Sequence, residues 1–95
     1  MGTIRQLEAF RAVIQHGTVT AAADALGLSQ PSVSKSISLL EYSTGLELFE
    51  RRRRRLFPTA EAMALYGEVD QMFLSLTRVL GMSRELRSLT TGQVN

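Results

Sequence analysis

The sequence predicts a mainly α-helical fold: a three-helix core, a short β-hairpin and one long helix after it. Three observations carry that expectation. Apolar residues return every three or four positions through most of the chain, the spacing that gives a helix one buried face. Gly17, Gly27 and Gly45 interrupt the first half, as glycines do where helices end in left-handed backbone. Leu48-Phe49 and Leu56-Phe57 then flank Arg51-Arg52-Arg53-Arg54-Arg55, two short apolar runs on either side of a charged tip.

The elements follow in order. Ile4, Leu7, Phe10, Val13 and Ile14 make one apolar face of a helix over residues 3–15, ended by His16-Gly17. Thr18 or Thr20 can cap a second helix whose Ala22, Ala23 and Leu26 face inward, and alanines let two crossing helices approach closely. Gly27 breaks that helix and Leu28 is expected to plug the turn. Ser29 then offers an N-cap for a third helix from about Pro31 to Tyr42, with Gln30 in its first exposed turn. Val33, Ile37 and Leu40 form the buried stripe of that helix, leaving Ser32, Ser34, Lys35, Ser36 and Ser38 on other faces. Serines are poor core and poor helix formers, so such a face implies contact with a polar groove or plain solvation. After Gly45, Leu46, Leu48 and Phe49 cover the bottom of the core, and the hairpin presents its arginines at the tip.

Thr59 caps a last helix starting near Ala60, with Glu61 at its positive end. There Ala62, Leu65, Val69, Met72, Leu76 and Val79 step alternately by three and four, a coiled-coil-like seam. Continued through Ser88 this helix spans about 43 Å, longer than a trihelical core needs. The simplest cover for the excess is the same helix of a second subunit, with packing on the chain's own core as the alternative. Leu89–Asn95 has no periodicity and reads as a flexible end. The expected organisation is therefore 1–59, 60–88 and 89–95.

Composition bounds the function. At 95 residues and 44% hydrophobic content the chain fits one small domain. It has no cysteine, hence no disulfide, thiol nucleophile or cysteine-ligated metal. Met1-Gly2-Thr3-Ile4-Arg5 has neither a signal-peptide run nor a membrane span, so a cytoplasmic location without membrane attachment is expected. His16 is the one histidine and reads as a helix-end residue, and no paired carboxylates or phosphate-cradling glycine loop stand in a catalytic context. No enzyme activity, metal or cofactor is expected. Tyr42 and Tyr66 read as packing residues and not as stacking platforms for single-stranded bases.

The net charge is +2, and its placement carries more than its size. Lys35 and Arg51–Arg55 stand against only Glu41, Glu47 and Glu50 in residues 31–59, whereas the rest of the chain is balanced or slightly acidic. One local basic patch beside a helix-turn-helix suits a duplex, with the helix in the major groove and the arginines on phosphates or in a narrow minor groove. Glutamine can address adenine, serine a base or a phosphate, lysine a guanine or a phosphate. Spacing alone leaves open which residue reads a base. A module whose arginines meet an acidic protein is the alternative function.

Leu7, Phe10, Gly17-Thr18, Thr20, Ala22-Ala23, Leu26, Ser29-Gln30-Pro31-Ser32-Val33-Ser34, Ile37, Leu40-Glu41, Gly45, Leu48-Phe49, Arg51, Arg54 and Thr59 stand in one order and spacing. Together they resemble the N-terminal DNA-binding domain of LysR-type transcriptional regulators, over nearly the whole chain. The resemblance implies a winged helix-turn-helix followed by a long dimerisation helix. It implies a recognition helix starting near Pro31, a wing at Arg51–Arg55 and bacterial promoters as targets. Full-length members usually continue into a two-lobed effector-binding domain and bind as tetramers; this chain ends before such a domain and reads as a fragment. It departs from the family pattern at Arg53, where a small residue or glycine is usual, at Pro58, at Glu61-Ala62 and at Leu39.

The candidate DNA-contacting residues are Ser29, Gln30, Pro31, Ser32, Ser34, Lys35 and Ser38 on the recognition helix and its approach. Thr18 and Thr20 at the second-helix cap and Arg51, Arg52, Arg53, Arg54 and Arg55 on the wing complete the set. Ala62, Leu65, Val69, Met72, Leu76 and Val79 are the candidate dimerisation residues. The expected partners are double-stranded DNA with a two-fold symmetric site and a second copy of the chain.

Overall fold

The computed structural model describes residues 2–53 and 55–90. Arg54 of the expected wing and residues 91–95 of the expected flexible end lie outside the described residues. α1 (Gly2–His16) reaches one residue past each expected end, and α2 (Val19–Leu26) and α3 (Gln30–Thr44) complete the trihelical core. β1 (Phe49–Arg52) and β2 (Arg55–Pro58) pair antiparallel, with Arg51 opposite Leu56 and Arg52 opposite Arg55. α4 (Ala60–Thr90) closes the chain. It is helical past the expected Ser88, so Leu89 and Thr90 belong to it.

Local chemistry sets these boundaries. Thr18, and not Thr20, caps α2: its Oγ1 accepts from the Ala21 N–H at 3.0 Å. Gly27 ends α2 at φ 68°, and the Leu28 N–H donates to the Ala23 carbonyl at 2.9 Å. That left-handed closure satisfies carbonyls a helix end would otherwise leave orphaned. Because the backbone closes the turn, Leu28 does not plug it and remains 44% exposed. Ser29 caps α3 by accepting from the Ser32 N–H at 3.2 Å.

Phe10, Val13, Ala22, Ala23, Val33, Ile37 and Leu40 form the centre of the core. Ala22 and Ala23 are buried where α2 crosses its neighbours, as small side chains there require. Leu48 and Phe49 close the bottom, with the Phe49 ring edge-on to Phe10 at 5.9 Å between centroids. Leu46, expected beside them, is exposed instead. Tyr66 meets the packing expectation and accepts from Gln15 Nε2 at 3.2 Å. Tyr42 does not: it is 88% exposed on α3.

The seam along α4 divides. Ala62 and Val69 are buried in the chain's own core, with Leu65, Tyr66 and Phe73 packed against it. Arg11 on α1 ties this half down, with Nε 2.9 Å from the Asp70 carboxylate and the guanidinium 5.2 Å from the Phe73 centroid. Met72 is half-buried, whereas Leu76 is 44% and Val79 55% exposed. With its 31 residues α4 is about 46 Å long, so its second half projects from the core in a molecule measuring 58 × 24 × 21 Å. Among the described residues no helix is long and apolar enough to cross a membrane.

Candidate nucleic-acid interface

The start of α3 is an exposed polar surface by construction. Pro31 sits in the first turn, where its missing N–H costs no helix bond, and the Ser29 cap fixes the direction in which α3 leaves the turn. Gln30, Pro31, Ser32, Ser34, Lys35 and Ser38 are all exposed. The Ser29 hydroxyl is engaged twice, accepting from the Ser32 N–H and donating to Ser32 Oγ at 2.9 Å. Ser29 therefore orders this surface more than it offers a free hydroxyl.

The wing is held against α3 by a carboxylate. Glu41 Oε2 accepts from the Leu48 N–H at 2.8 Å and the Phe49 N–H at 3.3 Å. From the other side, Thr59 Oγ1 donates to the Glu47 carbonyl at 2.7 Å, and the Thr59 N–H donates to the Leu48 carbonyl at 3.0 Å. The same Thr59 oxygen caps α4 by accepting from the Ala62 N–H at 3.1 Å. The chain entering and the chain leaving the hairpin are thus clamped together beneath it.

This clamp brings three separate stretches around one cleft of about 320 Å³. Thr18, Thr20, Gln30, Ser34, Arg51 and Arg55 line it above an apolar floor of Val19 and Leu56. A smaller hollow of about 180 Å³ continues along α3 past Ser38 and Glu41. The α2 N-terminus opens into the cleft, and an anion is favoured there by the unpaired N–H groups and the helix dipole. Thr18 uses an oxygen lone pair for its cap and keeps its hydroxyl proton for an outside acceptor.

The arginines are not equivalent. Arg51 and Arg55 face the cleft, and neither has an ion pair among the described residues. Arg52 is turned to its own wing, with Nε 3.6 Å from Glu50 and the guanidinium 4.4 Å from the Phe57 centroid. Arg53 stands at the hairpin tip with φ 51°, the one described non-glycine residue in left-handed backbone. Glu47, the other acidic residue near the wing, forms no ion pair among the described residues.

Two features escaped the sequence reading. The cleft floor of Val19 and Leu56 has no pattern of its own, because each residue completes an ordinary apolar stripe. Glu41 did carry a signal: a carboxylate in the last turn of a helix faces the negative end of the dipole and needs a compensating partner. The Leu48 and Phe49 N–H groups are that partner. Among the described residues, no group of histidine and carboxylate side chains is arranged to hold a metal.

Comparison with known proteins places this surface in context. Residues 4–63 match the model of bacterial regulatory helix-turn-helix proteins of the lysR family. The chain is 39% identical over 92 residues to the HTH-type transcriptional regulator DgcR of Pseudoalteromonas sp, covering 97% of this chain and 32% of that protein. It is 38% identical over 92 residues to the transcriptional activator protein LysR of Escherichia coli strain K12, covering 97% and 30%. The chain thus spans about a third of the length of these curated relatives. Its fold superimposes on the BenM DNA-binding domain in complex with catB site 1 DNA at a TM-score of 0.84 and 30% identity, covering 90% of this chain and 96% of that one. The CbnR DNA-binding domain in its DNA complex gives 0.79 and 32%, covering 88% and 97%.

Proposed function

The chain belongs to the lysR family of bacterial regulatory helix-turn-helix proteins, and from that premise we propose that it is the sequence-specific, double-stranded-DNA-binding module of a cytoplasmic transcriptional regulator. One observation carries the reading: the α2 cap, the exposed start of α3 and two unpaired wing arginines converge on a single cleft. Residues 1–59 form the DNA-binding unit and residues 60–88 the helix through which two copies pair, the apolar half beyond Met72 being the contact surface. The start of α3 enters the major groove, where Gln30, Ser32, Ser34 and Lys35 meet base edges. Thr18, Thr20, Arg51 and Arg55 take the flanking phosphates, and Arg53 at the hairpin tip extends toward the adjacent minor groove. Paired recognition helices read a two-fold symmetric site, and full-length copies assemble further into tetramers.

Selection of duplexes from a random pool, at two salt concentrations, tests this directly. The expected result is a two-fold symmetric motif whose affinity falls steeply with salt. Gln30→Ala should flatten the preference at particular base pairs of that motif, at a cost of about 1–3 kcal/mol for a lost base contact. An unenriched pool together with capture of the arginine loop by an acidic protein would replace the DNA reading with the protein-interaction one.

A further inference from the structure

The side of α3 opposite its buried stripe does not end with the residues assigned to the duplex. Pro31, Lys35, Ser38 and Tyr42 follow one another by four, three and four positions, which places them on one ridge pointing away from Val33, Ile37 and Leu40. All four are exposed, and Tyr42 most of all at 88%. The Tyr42 ring is open to a partner from outside, and its hydroxyl has no hydrogen-bond partner among the described residues. From Pro31 to Tyr42 the ridge rises about 16 Å, whereas the major groove is about 12 Å wide. A helix that seats Pro31 to Ser38 among bases therefore brings Tyr42 out at the wall of the groove, where the phosphates run.

The end of α3 has some of its carbonyls occupied. A helix C-terminus normally opposes an anion, because its last carbonyls are unpaired. Here the Leu40 carbonyl accepts from Thr44 Oγ1 at 2.8 Å and Ser43 Oγ at 3.2 Å, and the Glu41 carbonyl accepts from the Gly45 N–H at 2.9 Å. Those bonds engage the two carbonyls just before Tyr42 with donors from the helix end itself. Glu41 itself is committed to the Leu48 and Phe49 N–H groups.

We propose that Tyr42 is a further DNA-contacting residue, its phenol donating a hydrogen bond to a backbone phosphate at the far wall of the groove that receives α3. The inference rests on the duplex-binding reading above and adds a neutral phosphate contact beside those of Thr18 and Thr20. A neutral donor strengthens binding to every sequence without releasing a counterion, so its signature differs from that of an arginine.

Titrations of the parent chain, Tyr42→Phe and Tyr42→Ala on selected and random duplexes, at several salt concentrations, decide it. Tyr42→Phe should weaken both duplexes by about tenfold, as for a lost hydrogen bond to a charged group, with the parental salt slope and parental thermal stability. Tyr42→Ala should lose at least as much. Replacing single phosphates by neutral methylphosphonates should reveal one position per half-site where the parent is weakened and Tyr42→Phe is not, the coupling expected of two groups in contact. Parental affinity for Tyr42→Phe on both duplexes overturns the proposal, as does a loss confined to the selected sequence. Altered sedimentation of Tyr42→Ala with unchanged DNA affinity also overturns it, by making the ridge a protein surface. If the parent binds neither duplex, the duplex-binding reading itself has failed and this inference falls with it.

Discussion

The two neighbouring arginines Arg51 and Arg52 should separate cleanly in a salt titration. Arg51 lines the cleft without an ion pair, while Arg52 has Glu50 at 3.6 Å and Phe57 beneath its guanidinium. Each cation that neutralises a phosphate contributes roughly 0.9 to the slope of log affinity against log salt, and a symmetric dimer doubles the contact. Arg51→Ala should therefore shallow the slope by about 1.8. Over a fourfold rise in salt, the parent should lose about twelvefold more affinity than the variant. Arg52→Ala should change the slope by less than half as much, because its charge is already answered on the wing. Fluorescence titrations on selected and random duplexes measure both, and the Arg51 effect should be similar on the two because phosphates carry no base identity. Equal slope changes for the two variants would refute the division of the wing into a DNA-facing and a self-paired arginine. No change in either would make the whole run a solvated turn.

Three further outcomes follow from particular bonds. Arg53 has φ 51°, so Arg53→Gly should be more stable than Arg53→Ala by about 1 kcal/mol in urea unfolding, the cost of a Cβ in left-handed backbone; equal midpoints would remove the strain. Glu41→Ala leaves the Leu48 and Phe49 N–H groups without their acceptor and should destabilise the fold by about 2 kcal/mol; a loss below about 0.5 kcal/mol would show that water replaces the carboxylate freely. Leu76→Glu lies on the exposed half of α4 and should shift sedimentation toward monomer with little change in the monomer's own melting, whereas Val69→Asp places an unpaired charge in the core and should unfold the chain. Undiminished self-association of Leu76→Glu would move the pairing surface elsewhere.

The parts of the fold legible in the sequence were those governed by local rules. Thr18, Ser29 and Thr59 act as caps because a hydroxyl next to a helix start has few better uses, and Gly27 and Gly45 take left-handed backbone that other residues resist. Val33, Ile37 and Leu40 are buried because nothing else on α3 is apolar at that spacing. What depended on contacts far apart in sequence was less visible. The Arg11–Asp70 pair joins residues 59 positions apart, and Glu41 reaches the hairpin only once Gly45 has turned the chain back. Leu28 and Leu46 were misplaced for the opposite reason, since hydrophobicity alone does not say whether backbone bonds have already closed the turn.

The seam of α4 shows where pattern runs out and length takes over. A three-four repeat states which side of a helix is apolar, and it is silent on whether the cover belongs to the same chain or another. Lengths supply the missing information. α1 has 15 residues and spans about 22 Å, roughly half of the 46 Å of α4. A helix lying along α1 can be covered by it for only that distance, so the stripe runs out of cover from its own chain near its middle. The change falls between Val69, buried in the core, and Leu76, exposed beyond it, with half-buried Met72 between them. Residues placed in one list by their spacing therefore differ in their surroundings: Ala62, Leu65 and Val69 fasten α4 to the helix-turn-helix, and Leu76 and Val79 stay exposed, free for the pairing proposed above. Under the proposed pairing, a rigid attachment of the first half would be what makes the second half useful, because a helix that swivelled on its domain would not hold two recognition helices at one half-site spacing.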